Sequence, residues 1–454
     1  MACFCSGRKE DILAFFYPGE RTKVTNKPGK RRVVITGYGM ITPLGKNTQE
    51  TFENATKGIS GIDYITSFDT RGLPYRIGGQ VKESWLEGLE DETAHRFDKF
   101  SSRGLRLMRI ATMEAVRHAK LDEIEDRERI GVSLGSHGDN PPVKDIMFLQ
   151  RFYRGDGHWD IKGLLQTGGY SYFQFFRRKP DVGTSILSKL FLCKGSSFSI
   201  VSACAAGAQA IGEAYRAIQE GRADVMLAGG CEATLDFSGV IGFVLIRALA
   251  EKYATPQKAS RPFDRKRSGF VMSEGAGVVI LEELEHARSR NIPIQGEVLG
   301  YGSSADAYRI TDTHPQGEGA VLAMSGALED ASLKPEDIDY INAHGTSTIQ
   351  NDLVETRAIK RLFGTRAKDI PVSSNKSMLG HSIAAAGAIE CILTLLGIRY
   401  SIILPTINYE FRDPKCDLDY VPNEARCREV RRALSNAFGF GGQNACLCIG
   451  RFEG

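Results

Sequence analysis

Cys204 lies in the run Phe198-Ser-Ile-Val-Ser-Ala-Cys-Ala-Ala-Gly-Ala-Gln-Ala-Ile-Gly212, where a short β-favouring stretch passes at once into a helix-forming one. Ser199, Ile200 and Val201 suit a buried strand, residues 205–218 carry apolar side chains at helical spacing, and Gly221 supplies a stop. The spacing places Cys204 at a helix N-terminus. There, unpaired backbone N–H groups and the helix dipole favour thiolate over thiol, the condition for a nucleophile. A free cysteine is more often a small buried hydrophobe, so this run taken alone identifies a candidate.

Three further segments put reactive side chains at the ends of apolar runs. His344 follows a strand-like stretch in Ile341-Asn-Ala-His-Gly-Thr-Ser-Thr348, and Lys376 and His381 occupy the link between a strand and an Ala-rich helix. Asn436-Ala-Phe-Gly-Phe-Gly-Gly-Gln-Asn444 alternates glycine with phenylalanine, which would bring the backbone close to a ligand and free its N–H groups to meet an oxyanion. A lone histidine is usually structural and a lone lysine a solvated charge. Two histidines, a lysine and a cysteine at strand exits of one chain instead imply convergence on a cleft at the carboxyl ends of the strands. The chemistry implied is acyl transfer, with a thiolate accepting an acyl group and the histidines steadying enolate or oxyanion charge.

The elements that would position these residues alternate. Strands are expected at 31–39, 129–134, 224–230 and 275–281, with helices at 49–57, 103–120 and after Cys204. A second series has strands at 294–300, 338–343 and 370–374, helices at 319–331 and 352–363, another helix after His381, and a strand pair within 433–449. Strand–helix alternation implies an α/β architecture. The two series suggest an N-terminal half over 31–290 and a similar C-terminal half over 291–454, preceded by an extension over 1–30. No residue-by-residue repeat accompanies them. Residues 137–191 break the pattern, being rich in aromatics and glycine without sustained periodicity, and are expected to line a pocket or a subunit contact, or else to pack as core under a long excursion.

Composition narrows the classes. A net charge of +3 over 454 residues gives no reason to expect nucleic-acid binding, and 42% apolar with 25% charged residues is ordinary for a globular protein. The ten cysteines form no CxxC pair and no zinc-type spacing, which fits reduced thiols in a cytoplasmic compartment and no structural metal. The most apolar stretch, 383–398, contains Glu390, so no membrane span is expected.

Taken together, Ser202-Ala-Cys-Ala-Ala-Gly207, Ala343-His-Gly-Thr-Ser-Thr348, Asn375-Lys-Ser-Met-Leu-Gly-His381 and Phe438-Gly-Phe-Gly-Gly442 resemble the β-ketoacyl-[acyl-carrier-protein] synthases of the thiolase superfamily, closest to the type II elongating Cys-His-His branch. Ser260-Arg-Pro-Phe-Asp-Arg-Lys-Arg-Ser-Gly-Phe270 and Pro405-Thr-Ile-Asn408 support the likeness, which runs from about Val33 to the C-terminus. The resemblance implies a thiolase-like five-layer α-β-α-β-α sandwich of two similar halves, normally a homodimer. It implies that Cys204 accepts an acyl chain from the phosphopantetheine arm of an acyl carrier protein, and that His344 and His381 assist decarboxylation of a malonyl-carrier protein and stabilise the enolate. Lys376 and Glu390 match positions that order the site, the backbone N–H groups of Cys204 and Phe440 match the oxyanion hole, and Phe440 matches a gating phenylalanine. Thr346 and Thr348 match hydroxyls that bind the pantetheine arm, and Arg96 and Lys99 are candidates for meeting the acidic carrier protein. No tightly bound cofactor is implied.

The chain departs from that pattern in its alanines around Cys204 and, above all, in the aromatic segment before it, about a dozen residues longer than the family pattern between strand and nucleophile. The resemblance implies that acyl chain length and partner subunit depend on that region. A ketosynthase of a specialised polyketide or unusual-lipid pathway, one subunit of a heterodimeric ketosynthase, and a cysteine hydrolase are the competing readings.

Overall fold

The computed structural model of the protein describes residues 30–88, 96–310 and 312–454. The extension expected over 1–30 lies outside the described residues, except for Lys30, whose ammonium meets Asp330 at 2.6 Å.

Runs rich in valine, isoleucine and leucine, buried on both faces, form most of the strands, while Ser197–Ile200 is only partly buried. In chain order these are β1 (Val33–Ile41), β2 (Ile130–Gly135), β3 (Ser197–Ile200), β4 (Val225–Glu232), β5 (Gly275–Glu283), β6 (Gly296–Ala305), β7 (Tyr340–Asn342), β8 (Val372–Ser373), β9 (Arg432–Phe438) and β10 (Gln443–Gly450). They hydrogen-bond in the order β8-β7-β9-β10-β6-β1-β5-β4-β2-β3. The β1–β6 junction is a short antiparallel pairing, Val33 opposite Val298 and Ile35 opposite Gly296. On each side of it five strands follow one order, 3-2-4-5-1 counted from the first of the five. In each five, strand 2 is parallel to both its neighbours and strand 5 antiparallel to both of its own. The architecture is thus duplicated without any sequence repeat to announce it.

Five helices complete the layers: α1 (Arg103–Ala119), α2 (Ala206–Gln219), α3 (Glu318–Ala331), α4 (Ile349–Phe363) and α5 (Ala386–Tyr400). The first packs on β1, β4 and β5, the third on β6 and β10 with α4 beside it, and α2 and α5 lie against each other between the two sets of strands. This is the expected thiolase-like five-layer sandwich. The central layer depends on close backbone contact: a Cβ on Gly207 would lie 2.6 Å from Ala384 O, and one on Gly387 2.8 Å from Ala208 N. Both helices start there, so their N-terminal turns, and the residues preceding them, are drawn together.

The helix α5 is apolar all round, the pattern of a core or membrane-spanning helix. Among the described residues, Ile383–Tyr400 is the one stretch of helix long and apolar enough to cross a membrane, and 89% of it is buried inside the fold.

The aromatic segment folds into pieces too short to leave a periodic signature, helices of 8, 7, 5 and 10 residues at Val143–Gln150, Ile161–Thr167, Tyr172–Phe176 and Val182–Phe191. A small hairpin pairs Tyr153 with Trp159, and Phe173 packs edge-on to Phe100 with ring centroids 5.0 Å apart. Arg178, nearly buried, donates to Asp145 at 2.8 Å and to Tyr170 Oη at 2.6 Å. Beside this pair the segment forms a cleft of about 640 Å³ lined by Ile146, Leu149, Trp159 and Phe175, with Asp139 at its edge. Tyr153, Trp159, Tyr172, Phe175 and Phe176 remain exposed.

Candidate active site

Cys204 sits on a tight turn, Ala203–Ala205, between β3 and α2. Ala203 has φ +48°, a left-handed conformation that costs a non-glycine residue about 1 kcal/mol or more and is held here by its surroundings. The Gly-Phe loop is one of those surroundings. A Cβ on Gly439 would lie 3.0 Å from Ser202 O and 3.3 Å from Ala203 Cβ, so a larger residue there would press the loop and the turn apart. Gly441 and Gly442, at φ +89° and +79°, then turn the chain from β9 into β10.

His344 leaves β7 on a turn gripped by a buried carboxylate: Glu355 on α4 accepts from the N–H groups of His344 and Gly345, both at 2.8 Å. Asn436 donates to the same carboxylate at 3.1 Å. His381 is held through its backbone, donating to Val271 O at 2.7 Å and accepting from Ser273 N–H at 3.0 Å. The two imidazoles meet edge to face, centroids 5.3 Å apart, with Phe270 against His381 and Phe438 against His344. Cys204 Sγ and one ring nitrogen of each histidine all lie within 4.8 Å of one another. Both nitrogens of His381 and Nδ1 of His344 make no hydrogen bond among the described residues.

These three residues form the floor of a cleft of about 520 Å³ whose wall includes Phe440, Thr346 and Thr348. The threonine hydroxyls hydrogen-bond each other at 2.9 Å, and Thr348 also caps α4 by accepting from Asn351 N–H. Lys376 and Glu390 do not line the cleft. They lie behind it as a fully buried ion pair, Nζ to Oε1 2.5 Å. Arg96 and Lys99 do not line it either; each cation rests over a neighbouring phenylalanine ring. The cationic side chain at the cleft is Arg247, exposed at the end of an apolar helix.

The electrostatics revise one expectation. Burial pushes the Cys204 thiol up to about 11, against the opposing pull of the Phe440 N–H, the Lys376 charge and its own N–H. The helix N-terminus does not make a resting thiolate in a site this dry, because desolvating the anion outweighs those contacts. Burial, and then the Lys376 cation, hold His344 and His381 well below the ordinary imidazole range, so both are neutral at pH 7. Burial raises Glu390 to about 7, with Lys376 resisting. The arrangement is a neutral thiol beside two neutral, unpartnered imidazoles, suited to moving a proton off sulfur and to donating N–H groups to a developing oxyanion. The Cys-His-His donor set is also one that zinc favours, yet the Lys376 ammonium behind it opposes a second cation.

Glu355 escapes a reading of sequence because an acid in the first turns of an amphipathic helix looks solvated. The available signal was its face: Asp352 and Glu355 precede Ile359 by seven and four residues, which puts both carboxylates on the buried stripe. Asp352 accepts from Phe263 N–H at 2.7 Å and so ties the 260–270 stretch to the same turn.

A five-layer duplicated sandwich with a cysteine and two histidines at its strand exits defines a thiolase-like ketosynthase. The chain belongs to the β-ketoacyl synthase family: the model of the β-ketoacyl synthase N-terminal domain matches residues 30–287 and that of the C-terminal domain residues 295–410. It is 42% identical over 427 residues, 93% of this chain and 99% of the relative, to the 3-oxoacyl-[acyl-carrier-protein] synthase 2 of Staphylococcus aureus (strain COL). The corresponding protein of Synechocystis sp. is 41% identical over 429 residues, again 93% of this chain and 99% of the relative. Among solved structures, a β-ketoacyl synthase from Burkholderia phymatum superposes with a TM-score of 0.82 at 32% identity, covering 93% of this chain and all of the other. A type II PKS acyl-carrier protein in complex with its ketosynthase, bound to the hexaketide, gives 0.80 at 33% identity, covering 94% and 100%.

Replacing Lys376 with methionine tests the electrostatic account. Leaving Glu390 buried without its partner is expected to cost about 3–5 kcal/mol in denaturant unfolding. Removing a cation that disfavours imidazolium is expected to move the titration of His344 and His381 to higher pH, read by NMR of histidine-labelled protein. An unchanged histidine titration would show that burial alone keeps them neutral.

Proposed function

We propose that the protein catalyses decarboxylative Claisen condensation of an acyl thioester with malonyl-acyl carrier protein, giving a 3-oxoacyl-acyl carrier protein in fatty acid biosynthesis. The observation that carries the reading is the thiol of Cys204 within 4.8 Å of two neutral imidazole nitrogens at the floor of a cleft. Family membership and the named activity of its relatives support the substrate class.

In the first half-reaction the Cys204 sulfur attacks the carbonyl of the acyl-carrier thioester. Its proton passes to a histidine and then to the departing pantetheine sulfur. The N–H groups of Cys204 and Phe440 face the tetrahedral oxyanion. In the second, the malonyl group enters along Thr346 and Thr348 and loses carbon dioxide. The electron pair of the broken C–C bond becomes an enolate whose oxygen takes N–H donation from His344 and His381. The enolate carbon attacks the Cys204 thioester, the new C–C bond forms, and the cysteine leaves as thiolate and is reprotonated. Lys376, Glu390 and Glu355 are positioning residues, and the pantetheine arm comes with the carrier protein, whose acidic surface Arg247 is placed to meet.

The free edge of β3 supports a homodimer. Among the described residues it ends the strand order with no partner, its residues are largely half-exposed, and Val201 beside it is 57% exposed. An unpaired edge of this kind invites a second strand. Sedimentation velocity at micromolar concentration is expected to give twice the 49.9 kDa chain mass. A single species at the chain mass would refute it.

Cys204→Ala is expected to abolish acyl-enzyme formation, read as intact mass after incubation with acyl-carrier protein; an adduct persisting on the variant would sink the assignment. Replacing His344 or His381 with alanine is expected to slow condensation at least tenfold more than acylation, since the remaining imidazole can still carry the thiol proton whereas the enolate oxygen takes donation from both. Equal loss in both would contradict the division of labour.

A further inference from the structure

Neither ring nitrogen of His381 makes a hydrogen bond among the described residues, so its side chain does not orient itself. Its place is set by the backbone. The N–H donates to Val271 O at 2.7 Å and the C=O accepts from Ser273 N–H at 3.0 Å, so the ring goes where residues 271–273 go. The turn before it rests on the same stretch. A Cβ on Gly380 would lie 3.0 Å from Ser273 Cβ and 3.0 Å from Val271 O.

Residues 271–273 are held in turn by the short strand Ile77–Gly79 and the residues around it. Gly79 N–H donates to Met272 O at 2.8 Å, Glu274 N–H to Gly79 O at 3.0 Å, and Met272 N–H to the buried Tyr75 Oη at 3.2 Å. Glu274, buried just ahead of β5, closes the join. Its Oε1 accepts from Val81 N–H and from Arg103 Nη2, both at 2.8 Å, and its Oε2 accepts from Arg103 Nε at 2.7 Å. Arg103 Nη2 also donates to Val81 O at 2.7 Å, so the guanidinium and the carboxylate together grip both backbone polar groups of one residue. Arg103 opens α1, which packs on β1, β4 and β5 and gives this clamp a fixed base. A two-point arginine–carboxylate pair fixes direction as well as distance.

We propose that Arg103 and Glu274 are positioning residues for the second half-reaction, clamping residues 79–81 to the 271–274 stretch and so fixing where His381 presents its N–H to the enolate oxygen. The proposal rests on the reading of His381 as a donor to the enolate. Neither residue lines the Cys204 cleft, so their effect reaches the reaction through His381. A misplacement of about 1 Å in a reacting group can cost about a hundredfold in rate, and a hydrogen bond weakens steeply as its angle closes. Acylation is less exposed to such a shift, because His344 stands on a separate turn held by Glu355 and can carry the thiol proton.

The test uses the full chain with decanoyl- and malonyl-carrier protein, following acylation of Cys204 by intact mass and condensation by the 3-oxoacyl product. Glu274→Gln keeps the size of the side chain and an acceptor for Val81 N–H while removing the charge that holds the fork. It is expected to slow condensation by about tenfold or more and acylation by no more than about twofold. The ring resonance of His381 is expected to move in spectra of histidine-labelled protein. Arg103→Lys, which keeps the cation and loses the fork, is expected to show the same pattern with a smaller loss. Glu83→Gln removes the contact on the exposed side of Arg103, at 2.5 Å, and is expected to leave both rates and the His381 resonance unchanged. Equal loss in the two half-reactions of Glu274→Gln, undiminished condensation, or an unmoved His381 resonance would overturn the proposal. If that variant does not fold, Arg103→Lys decides on the same readouts. Wild-type protein that forms no acyl-enzyme, or forms it and yields no 3-oxoacyl product, would instead overturn the reading of the site, and this proposal with it.

Discussion

One buried ion pair sets the terms for the whole site. Lys376 and Glu390 face each other where neither touches solvent, and a pair so deep gains little net stability over a well-packed apolar substitute. Its consequence is electrical. A fixed ammonium behind the histidines adds to burial in keeping both neutral, and it also favours negative charge on the Cys204 sulfur. On the proposed reaction, the same cation prepares imidazoles to donate N–H groups and helps a sulfur that must pass through thiolate. Glu390 lies on the central helix α5 and Lys376 at the strand exit after β8, so the pair also fixes the layer that joins the two sets of strands.

The rest of the fold serves that geometry by close approach. Glycines at 207 and 387 let α2 and α5 begin in near backbone contact, and Gly439 lets the loop after β9 rest on the nucleophile turn. Two acids of α4 hold the remaining walls, Glu355 gripping the His344 turn and Asp352 reaching the backbone of Phe263. Each catalytic candidate thus leaves a different strand, and each exit is pinned by a contact from another element. Such pinning gives near-attack geometry without relying on the side chains themselves, whose polar atoms stay available.

What could be read from sequence follows from how locally each feature is encoded. The strands and helices were legible because their periodicity is strong; the expected helix at 103–120 is Arg103–Ala119 and the expected strand at 129–134 is Ile130–Gly135. Cys204, His344, His381 and Lys376 were legible because each sits at an abrupt change of pattern, and the fold then gathers three of them on one cleft floor and puts the lysine behind it. The strand order, and with it the duplication, was visible only as a succession of elements, since the two sets of five share topology and not residues. Glu355 and the Arg103–Glu274 pair were not legible, because a buried carboxylate is distinguished from a solvated one only by what the fold lays over it. The aromatic segment failed for a different reason: helices of five to ten residues are shorter than the window over which a period can be recognised.

The state of the sulfur changes how the reaction must begin. A thiol pushed up to about 11 is almost entirely protonated at pH 7, so the enzyme does not wait with a preformed thiolate. Dryness, which raises the thiol, also strengthens every donor aimed at the oxyanion and removes water that would hydrolyse the acyl-enzyme. The two histidines resolve the conflict because burial has made them neutral. On the proposed reaction, a neutral imidazole within 4.8 Å can take the thiol proton as the acyl group arrives, and the same imidazole, having given that proton to the leaving pantetheine, is again neutral when an enolate oxygen needs an N–H. An imidazolium could serve the second step and fail the first. Keeping both rings uncharged is therefore what allows one small set of groups to serve two half-reactions in turn, and it is the reason a cation is buried behind them.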